Sequence, residues 1–246
     1  MSRRRTVIII GAGPAGIGVA AALQKAGVTD ICILEKGAQV GATFLSWPSF
    51  VSFLTPSFQS NSFHLPDLNA ITPNSSPGHS LQTQHPSGKG YAAYLAYIAE
   101  ELRIPIHCHT EVTSLEQKKQ FVVHTTTGKF TADYVVWAGG EFSYPSFPDM
   151  KGAALCAHYA HLNIEELRQR RGRQCIIGSY ESGLDCAYFF AQHGMDADVY
   201  GDNPTLSDDP SVTLAPRTFD RIREGVFQKH IRSITERVVS VERCAD

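Results

Sequence analysis

The stretch that decides the fold is Thr6-Val-Ile-Ile-Ile-Gly-Ala-Gly-Pro-Ala-Gly16, followed by Ile31-Cys-Ile-Leu-Glu35. An apolar, β-branched run that stops at glycine reads as a buried strand over Thr6–Ile10. Residues Pro14–Ala26 are rich in alanine, carry proline in the first turn and stop at Gly27, which reads as a helix. Ile31–Leu34 is a second strand, and an acidic residue, Glu35, stands at its end. Strand, glycine turn, helix and strand make a βαβ unit, so the chain is α/β with a parallel, doubly wound sheet. Each glycine of the G-x-G-x-x-G has a physical task. Gly11 permits the tight turn, Gly13 lets backbone N–H groups reach a pyrophosphate, and Gly16 allows close helix–strand packing. The helix N-terminus offers unpaired donors and the positive end of a dipole. Glu35 can accept hydrogen bonds from ribose hydroxyls.

Outward from this unit, Gly37 to Ser87 is rich in Pro, Ser, Phe and Asn, with little helical period. Its aromatics, Phe44, Trp47, Phe50, Phe53, Phe58 and Phe63, argue against disorder, and the expectation is a segment folded over a ligand. Tyr91–Leu102 is an amphipathic helix. Short strands are expected at Ile104–His107, Glu111–Leu115, Phe121–Thr125, Lys129–Thr131 and Tyr134–Ala138, part of them a small antiparallel meander. The last ends in Trp137-Ala138-Gly139-Gly140, where small residues admit another backbone or a cofactor. Phe142-Ser-Tyr-Pro-Ser-Phe-Pro148 is the expected linker, giving domains 1–148 and 149–246.

A second, partial unit of the same kind follows. It has a strand at Gln174–Ile177, a turn at Gly178-Ser-Tyr-Glu-Ser-Gly183, a helix at Leu184–His193 and a strand at Ala197–Tyr200. Tyr180 replaces the middle glycine. The strand–turn–helix context still points to a phosphate site, and no arginine follows Tyr200 to hold a 2′-phosphate, which leaves NAD and NADP open. A polar loop at Asp202–Asp209, a helix around Pro216–Gly225 and a strand near Arg237–Val241 complete the expectation.

The 246 residues carry a formal charge of −2, with 43% hydrophobic and 19% charged residues. That composition is globular and offers no overall basic character for nucleic acid or anionic membrane. Arg3–Arg5 reads as a solvated basic tip. No apolar run approaches the roughly 20 residues of a membrane span, and the short run after Arg5 is a strand rather than a signal peptide, so a cytoplasmic protein is expected. The six cysteines, Cys32, Cys108, Cys156, Cys175, Cys186 and Cys244, form no C-x-x-C pair, as in a reduced protein. His107 and His109 would share one face of a strand, and without a second ligand cluster no metal is expected. No hydrolytic motif is present; His85 and His158 remain lone candidates, and no catalytic residue is assigned.

Two dinucleotide units in tandem resemble the flavoproteins with two dinucleotide-binding domains, and more narrowly the flavin-containing monooxygenase-like group. The stretches that carry the likeness are Gly11–Gly16 with Glu35, Gly41-Ala-Thr-Phe-Leu-Ser-Trp-Pro48, Phe53-Leu-Thr-Pro-Ser57, Leu65-Pro-Asp-Leu-Asn69, His85-Pro-Ser87, Trp137-Ala-Gly-Gly-Glu-Phe142 and Gly178–Gly183. The resemblance implies a Rossmann-like FAD-binding domain and a partial Rossmann-like NAD(P)-binding domain. Gly11, Gly13, Pro14, Ala15, Gly16, Glu35 and Lys36 would hold the ADP part of FAD, and Thr43, Phe44 and Trp47 would line the flavin side. Val112 would meet the adenine, Ala138 and Gly139 would approach the cofactor, and Gly178, Ser179, Glu181, Ser182 and Gly183 would meet the nicotinamide dinucleotide. It implies hydride transfer from NAD(P)H to FAD, then oxygen transfer to a small organic substrate. Neither nucleic acid nor membrane is an expected partner, and a homodimer is left open.

Three departures are visible. The Phe-x-Gly-x-x-x-His monooxygenase fingerprint is not intact, since Gly152 and His158 stand at the wrong spacing. The C-x-x-C of related disulfide reductases is absent. The returning segment that closes the flavin site in the family is not found after the second unit. Two alternatives therefore stand beside the oxidoreductase: a catalytically inactive dinucleotide-binding module, and a flavin reductase without C-x-x-C.

Overall fold

Val7, Ile8, Ile9 and Ile10 are all buried, which a strand achieves only when both of its faces are covered, as in a parallel sheet. They lie in β1 (Arg3–Ile10) of a computed structural model that describes residues 3–58, 67–142, 144–201 and 213–243. Phe63, Leu65, Pro66, Ser143, the Asp202–Asp209 loop and Cys244, all singled out above, lie outside the described residues. Packing divides the chain into two units. One comprises Met1–Trp47 and Thr55–Tyr144, the other Pro48–Leu54 and Pro145–Asp246. The break falls at Tyr144, inside the Pro-bearing stretch, and the second unit also takes Pro48–Leu54 from the early segment, which no local composition signals.

In the first unit β1 leads through α1 (Pro14–Lys25) to β2 (Ile31–Leu34). Two short helices follow, α2 (Ala42–Leu45) and α3 (Pro77–Leu81), then α4 (Gly88–Glu101), β3 (Ile106–His107), β4 (Val112–Gln117), β5 (Phe121–Thr125) and β6 (Gly128–Trp137). The sheet order is β3-β2-β1-β6-β5-β4. β1 runs parallel to both β2 and β6, while β4, β5 and β6 pair antiparallel, the small meander expected. Lys129–Thr131 and Tyr134–Ala138 prove to be one strand. Ala132 between them is fully buried, and Asp133 is held by Arg4 and Gln120, so neither interrupts the ladder.

Helix α4 starts where the Ser87 hydroxyl accepts from the Gly90 N–H at 3.1 Å. It buries Tyr91, Tyr94, Leu95 and Ile98, an i, i+3, i+4, i+7 stripe. Part of the aromatic- and proline-rich segment is fixed by a polar knot around Asp67. That carboxylate accepts from the Ser57 hydroxyl at 3.2 Å, the Asn69 N–H at 2.9 Å and the Ser76 hydroxyl at 2.7 Å. The Tyr91 hydroxyl donates to the Asn69 carbonyl at 2.8 Å. A segment poor in secondary structure thus satisfies its buried polar groups through side chains.

The second unit begins with short 3₁₀ turns at Ala153–Leu155 and Tyr159–His161, then α5 (Ile164–Gln169), β7 (Gln174–Ile177), α6 (Glu181–Gln192) and β8 (Ala197–Tyr200). It continues with α7 (Pro216–Arg223), α8 (Gly225–His230) and β9 (Ile231–Ile234). The order β7-β8-β9 is parallel throughout. The last strand is not at Arg237–Val241, where Val239 is exposed; it is Ile231–Ile234. Arg232 lies directly opposite Asp198 in the ladder and grips its carboxylate with two bonds of 2.7 Å, a cross-strand partner that Val238 and Val239 cannot supply. Phe50 stacks on Phe189 with centroids 4.6 Å apart, and Arg217 donates to the Ser52 hydroxyl at 2.7 Å, which is how Pro48–Leu54 joins this unit.

Candidate functional site

The end of β1 meets the start of α1 through Gly11, whose φ of 106° is open to glycine and costly for any side chain. Its N–H donates to the Leu34 carbonyl at 2.8 Å, and a Cβ there would strike the Ala138 carbonyl. Gly16 lies behind the loop, where a Cβ would collide with the Gly11 carbonyl and sit 3.5 Å from Ile9 Cγ2. It sets the close helix–strand approach. At Gly13, the N-cap of α1, a Cβ would meet nothing within 4 Å.

That open side of Gly13 faces a cleft of about 580 Å³ in the first unit. Gly11, Gly13, Pro14, Ala15, Glu35, Lys36, Thr43, Phe44, Val112, Ala138 and Gly139 all line it, as the sequence suggested. Trp47 does not. Its ring packs 5.0 Å from that of Phe44. Gly140, from the strand end expected to admit a cofactor, lines it as well; Thr110, Glu111, Glu141, Phe142 and Tyr144 also line the cleft and were not assigned from sequence. Trp137 lines it too, largely exposed, as are Phe142 and Tyr144. Such a cluster of exposed rings along a cleft is the signal that could have identified them. Lys36 lies 5.6 Å from the centroid of the Tyr144 ring.

Glu35 is 7% exposed. Its carboxylate accepts the Ala12 N–H on one oxygen and the Gly37 N–H on the other, both at 2.7 Å. The residue therefore braces the glycine loop as well as facing the cleft. A carboxylate has about four acceptor sites, so two remain for hydroxyl donors. An adenosine diphosphate fits this arrangement. The space beside Gly13 admits phosphates, the first turn of α1 carries no acidic side chain to repel them, and Glu35 presents acceptors. Thr43 and Phe44, from α2, face the same space.

The second loop repeats the backbone of the first. Gly178 has φ 111° and donates to the Tyr200 carbonyl at 2.8 Å, and a Cβ on Gly183 would strike the Gly178 carbonyl. The expected roles of Ser179, Glu181 and Ser182 fare differently. The Glu181 carboxylate accepts from the Ala215 N–H and the Thr218 hydroxyl, so it caps α7. Ser179 lies against Gly201, where a Cβ would come 2.6 Å from its Oγ. No contact of the Ser182 side chain bears on its expected role.

Other expectations are corrected. β3 ends at His107, and His109 has a left-handed φ of 51°, so the two histidines do not share a strand face. His107 packs against Phe130 at 5.5 Å. His158 accepts from the Ala160 N–H at 3.2 Å and caps a 3₁₀ turn, and Gly152 presses against the Val241 carbonyl, so both serve local structure. His85 lies outside the residues that line the cleft. Cys32, Cys108, Cys156, Cys175 and Cys186 are free thiols, and burial raises the pKa of Cys186 to about 12, beyond thiolate chemistry at neutral pH. No helix among the described residues is long and apolar enough to cross a membrane.

Comparison with known proteins fits this geometry. The chain is 30% identical over 186 residues to the uncharacterized oxidoreductase CzcO of Bacillus velezensis, which covers 73% of this chain and 50% of that protein. It is 30% identical over 153 residues to a Baeyer-Villiger monooxygenase of Streptomyces coelicolor, covering 59% of this chain and 27% of that one. The chain thus spans half or less of the length of these curated relatives. Among solved structures, bacillithiol disulfide reductase Bdr (YpdA) from Staphylococcus aureus matches with a TM-score of 0.77 at 19% identity, over 98% of this chain and 69% of that one. At that identity the match speaks for the fold, the two-unit Rossmann-like architecture described above. The model of one family matches residues 8–244, nearly the whole sequence, and by that match the chain belongs to the pyridine nucleotide-disulphide oxidoreductase family.

Proposed function

We propose that this chain is the dinucleotide-binding part of an FAD- and NAD(P)H-dependent oxidoreductase, with FAD in the cleft of the first unit and NAD(P)H at the second glycine loop. The observation that carries this reading is the cleft itself, in which Gly13, Glu35, Thr43, Phe44 and Val112 line one continuous space. When bound there, a flavin accepts the two electrons of a nicotinamide hydride and can hand them on to dioxygen. The residues do the rest. Gly11 makes the tight turn, and bare Gly13 leaves room for the phosphates to approach the N-terminus and dipole of α1. Glu35 orients the ribose through its hydroxyls. Phe44, Trp137 and Phe142 exclude water along the walls.

Oxygen transfer to a small organic substrate is the reaction favoured, on the likeness to the Streptomyces coelicolor monooxygenase and the absence of C-x-x-C from the sequence. A cytoplasmic location goes with this reading. The family name and the likeness in fold to a disulfide reductase support a second reading, reduction of a disulfide without a C-x-x-C pair. Titrating the purified protein with FAD tests the common part. Quenched flavin fluorescence and a shifted visible spectrum are expected, and protein that stays colourless at saturating FAD refutes it. NADPH consumption that needs oxygen and a ketone or sulfide supports monooxygenation, whereas consumption that needs only a disulfide supports the reductase.

A further inference from the structure

Ile9, Gly11, Gly13 and Gly16 correspond in order and spacing to Ile176, Gly178, Tyr180 and Gly183. The backbones agree closely. Gly11 and Gly178 have φ of 106° and 111°, and the N-caps Gly13 and Tyr180 have φ, ψ of −84°, −174° and −98°, −169°. Gly16 and Gly183 each let the helix lie close on the preceding strand: a Cβ on either would come 3.5 Å from the Cγ2 of Ile9 or of Ile176. The side chains differ where a diphosphate would lie. The first loop has bare Gly13 and no acid in the first turn of α1. The second has the Tyr180 ring at the middle position and Glu181 in the first turn of α6.

Both residues are engaged by one segment. The Tyr180 hydroxyl donates to the Thr213 carbonyl at 2.7 Å. The Glu181 carboxylate accepts from the N–H of Ala215, the N-cap of α7, and from the hydroxyl of Thr218, which is 3% exposed. Three hydrogen bonds therefore tie residues 213–218 to the first turn of α6. A carboxylate there also takes up the positive end of the α6 dipole, the feature that draws phosphate to such loops.

We infer that the second loop is latched. Tyr180 and Glu181 hold segment 213–218 against it, and a dinucleotide's diphosphate reaches the α6 N-terminus only when Glu181 gives up α7. The two residues thereby set the affinity for the nucleotide and keep it below that of the open first loop for its own ligand. The inference rests on the reading of this loop as the nicotinamide-dinucleotide site. Two anions compete for one dipole end, and like charges at close range disfavour each other.

The full chain, loaded with FAD, is titrated with NADP⁺ in a calorimeter. Glu181→Gln keeps the shape and an acceptor for Ala215 while removing the charge, and is expected to bind NADP⁺ about tenfold tighter, the effect of one close like charge. Thr218→Val leaves the charge and removes one bond of the latch, and is expected to bind several-fold tighter; it carries the test if Glu181→Gln fails to fold. In the wild type, NADP⁺ is expected to speed hydrogen exchange at the Ala215 amide. Binding of equal or lower affinity in both variants, with exchange at Ala215 unchanged, overturns the latch and leaves the site assignment standing. Absence of NADP⁺ binding in the wild type and both variants overturns the site assignment, and the latch with it.

Discussion

Removing the Glu35 carboxylate should weaken the first unit even with no cofactor present. The side chain is 7% exposed, and its two oxygens accept the Ala12 and Gly37 N–H groups at 2.7 Å. Hydrogen bonds to a charged acceptor contribute about 1.5–3 kcal/mol each, and a buried donor left alone costs about 1–3 kcal/mol. Ala12 is fully buried, so its N–H cannot turn to water; Gly37 is half-buried and recovers part of its loss. Glu35→Ala should therefore cost about 2–5 kcal/mol, and Glu35→Gln, which keeps one acceptor, about half of that. With a urea dependence of about 2 kcal/mol per molar, the alanine variant should unfold at about 1–2.5 M less urea. Trp137 fluorescence in FAD-free protein follows the transition, since Trp137 ends β6 beside the glycine loop. An unchanged midpoint together with weakened FAD binding would refute the bracing role and leave Glu35 a ligand group only.

Three further outcomes follow from the same geometry. Gly13→Ala should leave stability within about 1 kcal/mol, the scale of an N-cap change, yet weaken FAD binding severalfold in a fluorescence titration, whereas Gly16→Ala should cost about 1–3 kcal/mol by overpacking. Arg221 pairs with Asp185 among buried groups, and the Tyr159 hydroxyl donates to that same carboxylate at 2.8 Å; Arg221→Ala should cost about 3–5 kcal/mol in urea unfolding by taking the paired cation from the buried acid. The hydrogen bond from Arg232, reinforced by Arg173, holds the Asp198 carboxyl below its ordinary value. Its contribution is then present above the unfolded value of about 3.9 and is lost as pH falls through the folded one. Unfolding midpoints measured from about pH 5 to pH 2.5 should fall less steeply for Asp198→Asn than for the wild type.

What was legible in the sequence was what a local pattern decides. The run Val7–Ile10, the glycines and Glu35 specify strand, turn and acceptor within 29 residues, and eleven of the expected groups share the cleft. What was not legible depends on partners far along the chain. Arg237–Val241 has the stronger strand propensity, but Asp198 selects Ile231–Ile234 through Arg232. Glu181 reads as a phosphate-side residue, and nothing local shows that Ala215 and Thr218 donate to its carboxylate. Trp137 reads as part of a strand end that admits a cofactor, and the folded cleft adds Tyr144 to it.

Phe50 and Ser52 leave the ribosome long before the helices they join, since Ser52 and Arg217 stand 165 residues apart. The second unit therefore lacks a piece of its own core if it is cut out as residues 145–246, because Phe50 supplies the ring that stacks on Phe189. Closing so long a loop is slow. During synthesis the early segment must wait, apolar and unpaired, until α6 and α7 emerge. For this chain the two units are thus not beads made one after the other: the later one is finished with material delivered in advance.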